Sequence, residues 1–162
     1  MRLISIIVSM TISVIAFLLS IERETPEETD YPRWSAVELL KEYHGEELTD
    51  FDRLTLAIAL TESRFDPSAV GSADDYGILQ IRAVYVEEVN RVSGTNFSHE
   101  DAFDIGKSID IFNAMNEAKN PQRSIDKAIA LHNKSADYKR RVLANLETIN
   151  RYEEIRARLV ER

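Results

Sequence analysis

The sequence contains no cysteine among its 162 residues. That absence excludes a disulfide framework, a thiolate metal site and the lipid attachment of a lipoprotein. Histidine is nearly as scarce. His44, His99 and His132 lie far apart and show neither His-x-x-x-His nor Glu-x-x-His spacing, so no metal site and no cofactor are expected. A Gly-x-Ser-x-Gly elbow is also missing, which leaves Ser-His-Asp hydrolysis without support. Positive charge is in deficit, with 20 Lys and Arg against 28 Asp and Glu. Nucleic-acid binding relies on phosphate neutralisation and is a poor fit to such a chain, whereas a sugar polymer is compatible with it. No stretch alternates for long in the manner of a strand.

What is present begins with an apolar run. Leu3 to Ile21 is broken only by Ser5, Ser9, Thr11, Ser13 and Ser20, hydroxyls that a helix can bond to its own backbone. Nineteen residues make about 28 Å of helix, enough to cross a hydrocarbon core. Arg2 precedes the run, and Glu22 and Glu24 follow it, so the chain beyond is expected on the extracytoplasmic side. A signal peptide, cleaved to release the rest, would have a shorter apolar region and a small-x-small site. This run is long and ends in Phe17-Leu18-Leu19-Ser20-Ile21, which favours an uncleaved transmembrane anchor. Without Arg2, the exported part holds 19 basic against 28 acidic residues, a net charge of −9. With no disulfides it must be stabilised by its core, for which about 140 residues suffice.

Residues 22–33 are charged, carry two prolines and read as a tether. Residues 34–162 read as one mainly α domain. Ser35-x-x-Glu38 is a capping box for a helix that Gly45 closes. Thr49-x-x-Asp52 is a second box, with Asp in place of Glu, opening a run through Leu54, Leu56, Ile58 and Leu60 that stops before Pro67. Ser98-x-x-Asp101 precedes a third helical region marked by Ile105, Ile109, Phe112 and Met115. Ser124 caps a helix with Ile125, Ala128, Ile129 and Leu131, and Val142 to Leu159 form a long amphipathic helix. The best strand is very short, around Gly77 to Ile81. Phe65 to Tyr76 is an irregular insert between the second and third helices.

The chemistry concentrates at that insert. Glu62 ends an apolar helix directly before a loop rich in Ser, Asp, Gly and Pro. A carboxylate at a helix's negative end, beside apolar surface, is disfavoured as an anion. Glycosidic cleavage needs a carboxyl group that still holds its proton near neutral pH. Position alone is equally compatible with an exposed Glu at a helix terminus.

The pattern around it is more specific. Thr61-Glu62-Ser63-Arg64-Phe65-Asp66-Pro67-Ser68-Ala69-Val70 leads to Tyr76-Gly77-Ile78-Leu79-Gln80-Ile81. This resembles the soluble lytic transglycosylase family of the lysozyme-like superfamily, whose motif is a catalytic Glu-Ser, an aromatic, a Pro-x-Ala-Val turn and Gly-Leu-Met-Gln-Ile. A third family segment, Ala-x-Ala-Tyr-Asn-x-Gly, is matched in part by residues Ala128 to Ser135. The resemblance covers roughly Leu54 to Val142. It implies a lysozyme-like helical domain that cleaves peptidoglycan, with Glu62 as acid and then base. It implies that Ser63 orients groups in the cleft, that Gly77 lets backbone approach the sugar, and that Gln80 and Asn133 offer amides to it. Gln80 is expected on the cleft side of a short strand, and Tyr138 either stacks on a sugar or packs in the core.

Departures matter as well. His132 stands where the family usually has Tyr, and Ser135 where Gly is usual; an imidazole there adds a pH dependence that a phenol lacks. Asp74-Asp75-Tyr76 replaces small neutral residues. A lytic transglycosylase needs one carboxyl group, because the muramyl 6-hydroxyl displaces the leaving group. A hydrolytic lysozyme usually needs a second carboxylate, for which Asp74, Asp75, Asp101 and Asp104 are available. The lyase reading is favoured. Competing with both are a non-catalytic wall-binding module of the same fold and a membrane-anchored interaction protein whose helices imitate the motif. An anchored wall enzyme suits local wall opening by an envelope-spanning machine, or phage lysis.

Overall fold

The computed structural model describes residues 47–160, with 152–160 as backbone only. The apolar run 3–21, the tether 22–33 and the Ser35–Gly45 helix expected from sequence lie outside the described residues. Among the described residues no helix is long and apolar enough to cross a membrane. Their order is α1 (Asp50–Glu62), α2 (Ala83–Ser93), a 3-10 helix (His99–Phe103), α3 (Ile105–Lys119), α4 (Ile125–His132) and α5 (Ala136–Val160). The fold is mainly helical, with no strand among the described residues.

Helix α1 is the axis of the domain. Its capping box forms as the spacing predicts: Asp52 N donates to Thr49 Oγ1 at 3.2 Å, and Thr49 N donates to Asp52 Oδ2 at 2.8 Å. Every residue from Leu54 to Ala59 is buried, so α1 is covered nearly all round. Helix α5 packs along it through Tyr138 and Val142, and Asn145 Nδ2 donates to Thr61 Oγ1 at 2.9 Å. Helix α3 supplies Ile109, Ile111, Phe112 and Met115, with Phe112 stacked on Phe51 at 5.7 Å.

Two elements differ from the sequence expectation. Helix α2 occupies a stretch to which the sequence pattern assigns no element, between the expected strand and the Ser98 capping box. It has β-branched valines and an N-cap, Arg82, without a side-chain hydrogen bond, both weak local signals. Burial of Val86 and Val89 on one face forms it, and Gly94 closes it at φ 69°. The Ser98–Asp101 box caps the 3-10 helix instead of α3, which has its own cap: Asp104 Oδ1 accepts from Lys107 N at 2.9 Å.

The short strand at Gly77–Ile81 is a correction too. Those residues form a turn, closed by paired backbone bonds between Tyr76 and Ile81 at 3.0 and 2.9 Å. Gly77 at φ 71° and Gln80 at φ 48° are not extended. Tyr76 stacks on His99 at 3.9 Å and on Phe103 at 4.5 Å, and His99 Nε2 donates to the Ile81 carbonyl at 2.8 Å. A Cβ added at Gly77 would fall 1.8 Å from the Ala102 carbonyl oxygen. The glycine therefore serves close approach of loop to 3-10 helix, where the resemblance implied approach to the sugar.

Gly77→Ala and Gly94→Ala separate packing from backbone conformation. Both positions have positive φ, but a Cβ at Gly94 meets nothing within 4 Å. The expected loss is about 1 kcal/mol for Gly94→Ala and more than about 3 kcal/mol for Gly77→Ala, read by denaturant unfolding. Equal losses would show that the Ala102 contact does not hold the loop.

Candidate active site

Glu62 is the last residue of α1, and the chain turns sharply after it. Ser63 caps the helix, and Arg64 and Phe65 adopt left-handed conformations at φ 57° and 67°. Burial of Phe65 in the core holds that strained pair in place. Ser63 Oγ donates to the Ile78 carbonyl at 2.9 Å and accepts from Asp66 N at 3.1 Å. Its hydroxyl thus ties the end of α1 to the turn of residues 77–80.

The Glu62 side chain is 20% exposed and opens into a cleft of about 730 Å³. The loop contributes Asp75 and Gln80 to the lining, α2 contributes Tyr85 and Glu88, α3 contributes Met115 and Lys119, and the end of α4 contributes His132 and Asn133. Of the residues expected at the site, Glu62, Gln80, His132 and Asn133 meet at this cleft. Ser63 and Gly77 lie behind its wall, and Tyr138, 2% exposed, packs in the core and presents no ring face for a sugar. Gln80 lines the cleft from the turn; its Nε2 donates to the carbonyls of Ala69 at 3.1 Å and Gly77 at 2.9 Å. Asn133 is the exposed C-cap of α4, its Oδ1 accepting from Ser135 N at 2.9 Å.

His132 Nε2 lies 3.1 Å from Glu62 Oε1. The imidazole is walled by the rings of Tyr85, Phe112 and Tyr138. The Tyr138 hydroxyl faces the Glu62 carboxylate without a hydrogen bond of ordinary geometry to it. Burial first, and then the charge of Glu62, push this phenol's pKa up. Burial also raises that of Tyr85.

Three carboxylates line the cleft, and their partners differ. Asp75 pairs with Arg82 Nε at 3.3 Å. Glu88 takes Arg91 in a two-pronged bond, 2.7 Å at each oxygen, and also Lys119 from α3. The hydrogen bonds from Arg91 and Lys119 lower the Glu88 pKa to about 2. Of the other acids considered as a second carboxylate, Asp101 is bound to Lys107 at 2.6 Å and Asp104 caps α3; neither these nor Asp74 lines the cleft. The Glu88–Lys119 pair joins residues 31 apart on different helices, so no local spacing could reveal it.

The profile of the transglycosylase SLT domain matches residues 45–146. The chain belongs to this family, part of the lysozyme-like superfamily. SLT domains are peptidoglycan glycosidases and lytic transglycosylases, so peptidoglycan is the substrate class. Comparison with curated proteins and with solved structures gives no match. Among the described residues, the matched span takes in every helix except the part of α5 beyond residue 146.

The Glu88 cluster makes a pH-dependent contribution to stability. Its folded-state pKa lies below the ordinary 4.5, so the contribution is full above that value and is lost as pH falls toward 2. The melting temperature of Glu88→Gln should lie below that of the native chain at pH 6, and the gap should close by pH 2. A gap of constant size across that range would rule the linkage out.

Proposed function

We propose that this chain cleaves the β-1,4 bond between N-acetylmuramic acid and N-acetylglucosamine as a lytic transglycosylase, with Glu62 as acid and base. The observation that supports this most directly is the pairing of the cleft's carboxylates. Asp75 and Glu88 are each held by guanidinium or ammonium groups, while Glu62 faces the His132 imidazole and the Tyr138 phenol. It is the cleft acid best placed to move a proton.

In the reaction, the Glu62 carboxyl group gives its proton to the glycosidic oxygen as the bond from that oxygen to muramyl C1 breaks. The muramyl 6-hydroxyl oxygen bonds to C1, and its proton passes to the Glu62 carboxylate. No water is consumed, and a 1,6-anhydro end results. On the cleft wall, Gln80, with both Nε2 donors spent on carbonyls, offers its Oε1 as acceptor, and Asn133 offers its Nδ2 as donor to hydroxyl and acetamido groups. Leu3 to Ile21 would anchor the domain on the extracytoplasmic face, with residues 22–33 as tether, restricting cleavage to wall near the membrane. This arrangement suits an envelope-spanning machine or phage lysis, and equal wall turnover after exchange of the anchor for a cleaved signal would remove the reason for it.

Hydrolysis in the manner of a lysozyme is the second reading, because Asp75 lines the same cleft. Digestion of insoluble peptidoglycan by the full chain in detergent, beside Glu62→Gln and Asp75→Asn, tests both. Products lighter than hydrolytic muropeptides by one water, about 18 mass units, released by Asp75→Asn but not by Glu62→Gln, are the expected result. Hydrated products that require Asp75 would make it a lysozyme. Binding to the wall without any product would leave a non-catalytic module.

A further inference from the structure

The Glu62–His132 contact carries more than proximity. The His132 side chain is only 5% exposed, and Nε2 is 3.1 Å from Glu62 Oε1. The second ring nitrogen, Nδ1, is buried without a hydrogen-bond partner. Ring centroids of Tyr85, Phe112 and Tyr138 stand 5.7, 6.1 and 6.0 Å away. The titratable groups facing the imidazole are Glu62 from α1, Tyr85 from α2 and Tyr138 from α5, and α3 sets the Phe112 ring against it.

A neutral imidazole has one N–H to place. On Nδ1 it would be a buried donor with no acceptor, and the Nε2 lone pair would meet a carboxylate oxygen. On Nε2 it meets Glu62 Oε1, and only a bare acceptor is left among the rings. A buried unpaired donor costs more than a buried unpaired lone pair on a weak acceptor.

We propose that His132 is a positioning residue whose ring proton sits on Nε2 and is donated to Glu62 Oε1 throughout the reaction, confining the acid's own proton to Oε2. This rests on the reading of Glu62 as the acid. In the carboxylic acid, Oε1 is the carbonyl oxygen and accepts from Nε2–H. After the proton has gone from Oε2 to the glycosidic oxygen, Oε1 still accepts the same bond. The donor has nothing to reorganise as charge develops, which is the condition for electrostatic preorganisation. A tyrosine hydroxyl, usual at this position in the resemblance, can rotate its proton and either donate or accept. The ring N–H lies in a fixed plane between three aromatic rings and cannot.

Two measurements on the full chain in detergent test this. Nitrogen-15 NMR of the imidazoles, with the His132 signals identified by their loss in His132→Leu, should show a protonated Nε2 and a bare Nδ1 at neutral pH. A proton on Nδ1, or on both nitrogens, overturns the proposal. In kinetics, His132→Leu should lose kcat on the order of 100-fold with KM little changed, and His132→Gln, which keeps an N–H donor, should recover most of that loss. Full kcat in the leucine variant also overturns it. Should the native chain release no products, the function reading fails on its own, and the tautomer still decides the hydrogen bond.

Discussion

The space that a side chain would fill at Gly77 is occupied by the carbonyl of Ala102. On that close approach depends the placing of the whole segment from Ser63 to Arg82. At one end Ser63 bonds the Ile78 carbonyl, so the turn that sits on Ala102 also fixes the last turn of α1. At the other end the Tyr76–Ile81 bonds and the His99 donor hold the exit toward α2. Glu62 and Gln80 are thereby set on one frame without a regular sheet. The irregular backbone remains ordered because Tyr76 stacks on His99 and Phe103, and Phe65 enters the core.

The cleft's electrostatics follow a different logic from the acidic surface. Three carboxylates and several cations share it, yet the charges are largely satisfied in pairs: Asp75 with Arg82, and Glu88 with Arg91 and Lys119. Such pairs shape the walls and leave little free charge for a sugar polymer to meet. Behind Glu62 the surroundings change to rings and buried hydroxyls, where hydrogen bonds are stronger than in water. Two of the replacements that set this sequence apart within its motif, Asp75 and His132, fall on the two sides of that boundary. One joins the paired charges, and the other lies against Glu62.

Much of the helical order was legible in the chain alone. Thr49 and Asp52, Ser124, and the apolar spacing of α3 and α5 marked their helices because capping and one-sided burial are local, periodic properties. Helix α2 was not legible, since its valines favour extended backbone and its start lacks a side-chain cap. Gly77 to Ile81 looked like a strand from its apolar residues, but strand or turn there depends on what stands opposite. The opposing residues are Ala102 and His99, more than 15 positions away.

The site divides in the same way. By itself the sequence determined the family, the place of Glu62 at the end of α1 and the order of the motifs, because these are spacings along one chain. Tertiary structure decided what those residues touch. It made Gly77 a packing element where a sugar contact was expected, chose core packing over sugar stacking for Tyr138, and made Ser63 a bolt between helix and turn. It also set His132 against Glu62. Partners brought together from separate helices leave no periodic trace, since their contact is selected by burial and hydrogen-bond satisfaction in three dimensions and not by spacing in one.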